Sequence, residues 1–471
     1  MSLSRRMPRT ILAAAASAIM LTGLVAPSAT AFTGSSMGHE SSTGLPGVKK
    51  APKNIIYLVG DGMGYNHVAA ANLFESGQTR YQVEGEAGSD LSEAPGEAVQ
   101  VYEGDKWNQL AMTTFQHNNS YEPDRAWADH NYVNEDFTDS AAAGTAMATG
   151  KKTVNGKIGV DETDASVENI SERAKAQGKA AGVVSSVPFN HATPAAWAAH
   201  NPNRNDLVPM AEEMINSDLD VIMGAGHPFF NNDNQKVSTA YQKYMSVEQY
   251  ERLSNGETDF TFIEEDADFE ALANGELDGE RYFGLAQVAD TLQHDRSGDS
   301  IVPYDTDLND VVDLATMSEG ALNVLNQDED GFHLMIEGGA IDWAGHANDI
   351  ARDIEEVQAF NDAVETVVTW VEENSSWDET LVIVTADHET GYLSGQAETP
   401  DYKALTGAVG EVPAHDYYSG NHTNMLVPVF FRGAGSEDIV RSTTGTDPVR
   451  GKFIDNVTIA NLTLDNWWAR N

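Results

Sequence analysis

The sequence predicts an α/β fold of three layers, α/β/α, around a large and mostly parallel central sheet. Two observations predict it. Apolar runs of strand length alternate along the chain with stretches of helical periodicity, the pattern of a parallel sheet covered by helices on both sides. Residues of metal-ligand type stand directly after those runs, and open α/β sheets bind ligands at the carboxyl ends of their strands.

Residues 54–59 (NIIYLV) read as a buried strand and end in Gly60-Asp61-Gly62-Met63-Gly64. A second run, 180–187, is followed by His191 and Thr193, and a third spans 219–223. The run 332–336 leads into Glu337, and 380–385 leads into Asp387-His388. The last run covers 425–431. Between them, 350–373 reads as a helix that keeps Ile354, Val357, Phe360, Asn361 and Val364 on one face. Two long acidic segments, 75–135 and 229–310, break this rhythm and read as insertions on the rim of one domain spanning 53–471; a small separate domain at 229–310 is the alternative. There is no internal repeat.

Ahead of that domain, Arg5, Arg6 and Arg9 precede an apolar stretch, 11–25, and the small-residue triplet Ala29-Thr30-Ala31. This is the pattern of a secretory signal peptide over residues 1–31. A membrane-spanning helix needs ~20 apolar residues, so the run predicts export to the periplasm or beyond, not anchoring. Residues 32–52, rich in Gly, Ser and Lys, read as an N-terminal arm, and no later segment reads as membrane-spanning. The chain carries 73 acidic and 28 basic residues, a net charge of −45. Such a charge repels nucleic acid and anionic membranes, which excludes both as partners. Because salt screens the self-repulsion, the composition predicts a salt-adapted protein. Cysteine is absent, so disulfides contribute nothing, and stability falls to the core, bound metals and subunit contact.

The chemistry concentrates in a few stretches. Asp139-Ser140 opens an Ala-rich segment, which places a hydroxyl at a helix N-terminus, where free amides and the helix dipole suit a phosphate. The alternative for either residue is a plain helix cap. The stretch from Glu337 to His346 holds Glu337, Asp342 and His346, the last two at helical i, i+4 spacing. Asp387-His388 and His422 add a carboxylate and two imidazoles. Mixed carboxylate/imidazole sets with open positions suit catalytic Zn²⁺, and all-oxygen sets suit Mg²⁺.

With Gly60-Asp61-Gly62-Met63-Gly64, Asp139-Ser140-Ala-Ala-Ala-Gly-Thr-Ala, His191-Ala-Thr193, Glu337 through His346, Thr385-Ala-Asp387-His388-Glu-Thr-Gly and His422-Thr-Asn in this order, the sequence resembles the alkaline phosphatases over about residues 53–433. The resemblance implies two zinc ions and one magnesium ion. Asp342, His346 and His422 would hold the first zinc, and Asp61, Asp387 and His388 the second. Glu337 and Thr193 would hold the magnesium with Asp61, with His191 at or just behind it. Ser140 would be the nucleophile that forms a phosphoserine, and Arg204 would clamp the phosphate. Phosphate monoesters would be the substrates, inorganic phosphate the product, and a homodimer the assembly. In one branch of the family the position of His191 holds Asp and that of Trp343 holds Lys, so the octahedral site here is expected to be less selective for Mg²⁺. Two readings compete with monoester hydrolysis: a phosphodiesterase or sulfatase of the same superfamily, and a secreted acidic metal-binding protein without catalysis.

Overall fold

Among residues 51–470, apart from 90 and 398–401, which are those the computed structural model describes, eleven strands form one sheet. The signal segment at 1–31 and all but the end of the 32–52 arm lie outside the described residues. In chain order the strands are β1 (Asn54–Gly60), β2 (Asn108–Thr113), β3 (Ala180–Pro188), β4 (Val221–Ala225), β5 (Thr261–Ile263), β6 (Tyr282–Leu285), β7 (Phe332–Gly338), β8 (Thr380–Thr385), β9 (Val427–Gly433), β10 (Gly445–Asp447) and β11 (Gly451–Asp455). Across the sheet they lie in the order β10-β11-β2-β9-β8-β1-β7-β3-β4-β6-β5. The central strand β1 is parallel to both neighbours, with Ile55 opposite Leu381 on one side and His333 on the other. β1, β7 and β8 are buried along their whole length. That explains why they read as unbroken apolar runs, not as alternating ones.

The expected parallel sheet carries two exceptions. β9 runs antiparallel to β8 and β2, and β10 runs antiparallel to β11. The reversal of β9 bears on the site. Val429, near its start, faces Thr385 at the end of β8, so the residues just before β9 reach the same sheet edge as those just after β1, β7 and β8.

The two acidic segments are not confined to the rim. The first supplies β2, between β9 and β11, and the second supplies β5 and β6 at the far edge. β5 and β6 are short, with three and four residues, and β2 shows an apolar run of only Leu110, Ala111 and Met112, which hid the pattern. The run at 219–223 is also displaced, because Leu219 is buried ahead of a strand that begins at Val221.

Around the sheet lie α1 (Tyr65–Ser76), α2 (Ser140–Thr149), α3 (Ala192–Ala196), α4 (Leu314–Leu325), α5 (Ala340–Ala347) and α6 (Ile350–Asn374). α6 packs on α1, α4 and α5, and α2 packs on α3. α6 starts where the Asp349 carboxylate accepts the backbone N–H of Arg352 at 3.1 Å, an N-cap that satisfies a free donor. The face predicted from Ile354 to Val364 is buried. α2 is buried on every side, which only small residues permit at this packing density. No helix among the described residues is long and apolar enough to cross a membrane.

Candidate active site

Asp61 directly follows β1 and is wholly buried. The chain then turns through Gly62 at φ +75°, where a Cβ would stand 2.8 Å from the Asp342 Cα and 2.8 Å from the Thr390 Oγ1. Only glycine fits both that dihedral and that approach. Glu337 lies near the end of β7, Asp342 and His346 on α5, Asp387 and His388 just beyond β8, and His422 just before β9. His191 caps α3 and Thr193 sits in its first turn.

These side chains converge into three groups, in each of which the ligand atoms lie within 4.8 Å of one another: Asp342, His346 and His422; Asp61, Asp387 and His388; and Asp61, His191 and Glu337. Asp61 is common to the last two. Thr193 adjoins them, its Oγ1 donating to Asp61 at 3.3 Å. The Ser140 Oγ lies 3.2 Å from the His388 Nε2, at the first position of α2, whose cap is the Asp139 carboxylate accepting from the Ala142 N–H at 2.9 Å. The Arg204 Nη1 donates to the other Asp139 oxygen at 3.0 Å, which also accepts the Gly156 N–H at 2.8 Å. Every residue predicted for the site is therefore at this one edge.

The polar atoms fit cations. Asp61 Oδ1, Glu337 Oε1, Asp387 Oδ2 and His191 Nδ1 are buried with no hydrogen-bond partner, and such groups are costly unless something else satisfies them. The imidazoles of the first group make the same point. His346 Nδ1 faces the Gly420 carbonyl at 2.9 Å and His422 Nδ1 the Thr138 carbonyl at 2.8 Å. Carbonyls only accept, so both Nδ1 atoms carry hydrogen. The two Nε2 atoms then face each other at 3.0 Å, each 3.4 Å from the Asp342 Oδ1. Only a proton or a metal ion relieves two imidazole lone pairs and a carboxylate oxygen at that spacing, and a carbonyl on the far nitrogen is how metal-bound histidines are held.

The charge states agree. Burial, then the neighbouring Asp387, Asp342 and Glu337, pushes Asp61 far above the usual carboxylate range. Burial and Asp342 push Asp387 up to about 6. Burial lifts Glu337 to about 7 despite hydrogen bonds from Ser185 and Thr193. Burial works the same way on Asp342, but the His422 hydrogen bond and the His422, His346 and His388 charges outweigh it and hold Asp342 down. Burial and the Arg204 charge lower His191 to about 3. His388 is pushed well down by burial and His422. Against burial, Asp342 pulls His422 the other way, toward its charged form; the neutral imidazoles of His191 and His388 beside clustered carboxyls are donors suited to divalent cations.

The alkaline phosphatase family model matches residues 52–411. The chain belongs to the alkaline phosphatase family. Alkaline phosphatase 4 of Bacillus subtilis is 30% identical over 406 residues, covering 83% of this chain and 72% of that protein. The alkaline phosphatase of Escherichia coli K12 is 28% identical over 434 residues, covering 84% of each. Among solved structures, the alkaline phosphatase of the Antarctic bacterium TAB5 superposes with a TM-score of 0.61 at 25% identity over 90% of this chain and 99% of its own. A cold-active alkaline phosphatase of a psychrophilic Shewanella gives 0.62 at 26% identity over 88% of this chain and 100% of its own. As a member of the alkaline phosphatase family, the chain is a metal-dependent phosphoric monoester hydrolase.

Two supporting side chains of this alkaline phosphatase site, and the hold of Asp139 on Arg204 beside its expected cap, escaped the sequence reading. Ser185, opposite Glu337 in the sheet, donates to its Oε2. Thr390 donates through Oγ1 to Asp342 at 2.6 Å and lies 3.2 Å from the His388 Nδ1. Asp139 both caps α2 and holds Arg204. Thr390 stands inside the Asp387-His388-Glu-Thr-Gly stretch, so its position was the available signal. Ser185 offered none, because a serine within an apolar strand has no mark of its partner.

Proposed function

We propose that this phosphatase hydrolyses phosphate monoesters through a phosphoserine on Ser140, with two zinc ions and one magnesium ion. The single observation that carries the reading is the Ser140 hydroxyl at a helix N-terminus, 3.2 Å from the His388 Nε2, beside three ligand groups, two of which share Asp61. Asp342, His346 and His422 would hold the first zinc. Asp61, Asp387 and His388 would hold the second. Asp61, Glu337 and Thr193 would hold the magnesium, with His191 beside it. When bound, such ions lower the pKa of a nearby hydroxyl or water and offset charge on the transferring phosphoryl group. The Ser140 Oγ attacks phosphorus as the bond to the ester oxygen breaks, so the alcohol leaves and the phosphoryl group is carried on serine. Water then attacks the same phosphorus, Ser140 recovers its hydroxyl, and inorganic phosphate departs. Through both steps the α2 N-terminus and Arg204, oriented by Asp139, bind the non-bridging oxygens.

Arg204 supports monoesters over diesters, because a terminal phosphate presents more free oxygens for its guanidinium to engage, and a magnesium held by Glu337 and Thr193 would add positive charge suited to the dianion. The basic start, apolar run and Ala29-Thr30-Ala31 of the sequence support export, and the net charge of −45 supports salt adaptation. Family membership supports a homodimer. The test is Ser140→Ala. With p-nitrophenyl phosphate its turnover should fall to background and no acid-stable phosphoprotein should form, while zinc and magnesium content stays at the wild-type level. A variant that still turns over at near wild-type rate would end the phosphoserine reading.

A further inference from the structure

His67 lies on α1, six residues beyond Asp61, and is wholly buried, yet no step above uses it. Its Nδ1 lies 3.0 Å and 2.8 Å from the two carboxylate oxygens of Asp353. Its Nε2 lies 2.9 Å from the backbone carbonyl of Thr390. Carboxylate and carbonyl both accept, so both ring nitrogens donate. Asp353, in the first turn of α6, also accepts the Tyr417 hydroxyl at 2.6 Å, five residues before His422. Thr390 in turn donates its N–H to the Gly62 carbonyl at 3.0 Å and its hydroxyl to Asp342, lies beside the His388 Nδ1, and pairs across a short ladder with His422.

We propose that His67 is a positioning residue for the ligand cage: it locks Thr390 to α1 and α6, and Thr390 aims Asp342 and His388. The proposal rests on the ligand reading of the preceding section. A buried histidine is often only a core residue, and His333 is such a case. It too is wholly buried, but it has one partner, the Ser171 Oγ at 3.1 Å, and its Nε2 bonds to nothing. His67 differs in bonding through both nitrogens: Nε2 to Thr390, two residues past His388, and Nδ1 to Asp353, which also takes the hydroxyl of Tyr417 on the stretch leading to His422. Removing it leaves the Thr390 carbonyl without its side-chain donor and Asp353 a buried anion held by one hydroxyl.

The experiment measures zinc affinity of the reconstituted enzyme by competition with a chromophoric chelator, alongside the thermal midpoint. His67→Ala should bind zinc about 10- to 100-fold more weakly, the usual cost of losing a group that orients metal ligands. His67→Gln, able to donate to Thr390 but not also to Asp353, should recover part of that loss. Tyr417→Phe should weaken zinc in the same direction and less. His333→Ala should lower the midpoint and leave zinc affinity unchanged, which separates positioning from general stability. Wild-type affinity in His67→Ala overturns the proposal, as does an equal loss in His333→Ala. If His67→Ala does not fold, unchanged affinity in Tyr417→Phe overturns it. A wild-type enzyme that binds no zinc would instead overturn the ligand reading itself.

Discussion

Replacing Arg204 with Ala removes a guanidinium whose Nη1 is already held by Asp139 at 3.0 Å, leaving Nη2 and Nε to meet two phosphate oxygens. The helix cap should survive, because the Asp139 oxygens keep the N–H groups of Ala142 and Gly156. The loss is then that of the phosphate contacts. Hydrogen bonds to charged groups contribute about 1.5–3 kcal/mol each. Arg204 is about one-fifth exposed, so a total toward the lower end, about 2–4 kcal/mol, is expected for the pair. That corresponds to a fall of about 30- to 900-fold in kcat/KM. Arg204→Lys should recover only part of it, since an ammonium lacks the planar fork. Steady-state kinetics with p-nitrophenyl phosphate and with its bis-ester measure the effect. The monoester should suffer more, and inhibition by inorganic phosphate should weaken alongside. A fall of less than about threefold for the monoester would show that Arg204 does not touch the transferring group.

Metal binding should weaken on acidification. In the metal-free protein Glu337 sits near 7 and Asp387 near 6, so protons displace cations as pH falls through that window, and affinity rises with pH until both carboxyls are ionised. Dialysis of the loaded enzyme from pH 8 to pH 5, about the span from above the first value to below the second, followed by metal analysis, should show progressive loss; full retention contradicts it. With a net charge of −45, the thermal midpoint should rise between low and molar NaCl as screening shortens to roughly 3 Å at 1 M. An unchanged midpoint refutes salt adaptation. Gly62→Ala should cut both activity and zinc content, because the new methyl would meet Asp342 and Thr390 at 2.8 Å in a left-handed backbone. Wild-type values for both would show that the turn relaxes freely.

Much of this site was legible because its candidate ligands stand next to strands that announce themselves. Asp61, Glu337 and Asp387 each follow or end an unbroken apolar run, and such runs are unambiguous when a strand is buried on both faces. Ser140 was legible from the alanines behind it, which only a tightly packed helix explains. What stayed hidden depended on direction or partner. Nothing in 425–431 says that β9 runs backwards, yet only that reversal brings His422 to the edge where Asp61 ends. β2, β5 and β6 were lost inside acidic segments because the strands or their apolar runs are too short to stand out: three residues in β5, four in β6 and Leu110–Met112 in β2. Ser185 and His67 act through contacts more than a hundred residues away in sequence, Thr390 reaches Asp342 across 48 residues, and no local pattern encodes those.

Site and stability meet in the same side chains. Asp61, Glu337, Asp342 and Asp387 are all at least 95% buried, and burying like charges together without compensation costs several kcal/mol per ion. Without metals the fold can meet that cost only by taking up protons, which is the upward direction seen for Asp61, Glu337 and Asp387. At alkaline pH the protons of Glu337 and Asp387 leave, and the imidazoles of His191 and His388 are held neutral by burial, so they add no balancing charge. Cations are then the remaining remedy, and binding them is part of folding itself. A chain with no cysteine and a net charge of −45 would thus draw cohesion at this sheet edge from the ions that its chemistry uses. It follows that the residues bracing the cage, Thr390 and Ser185 among them, act on stability and turnover through one quantity, the affinity for metal.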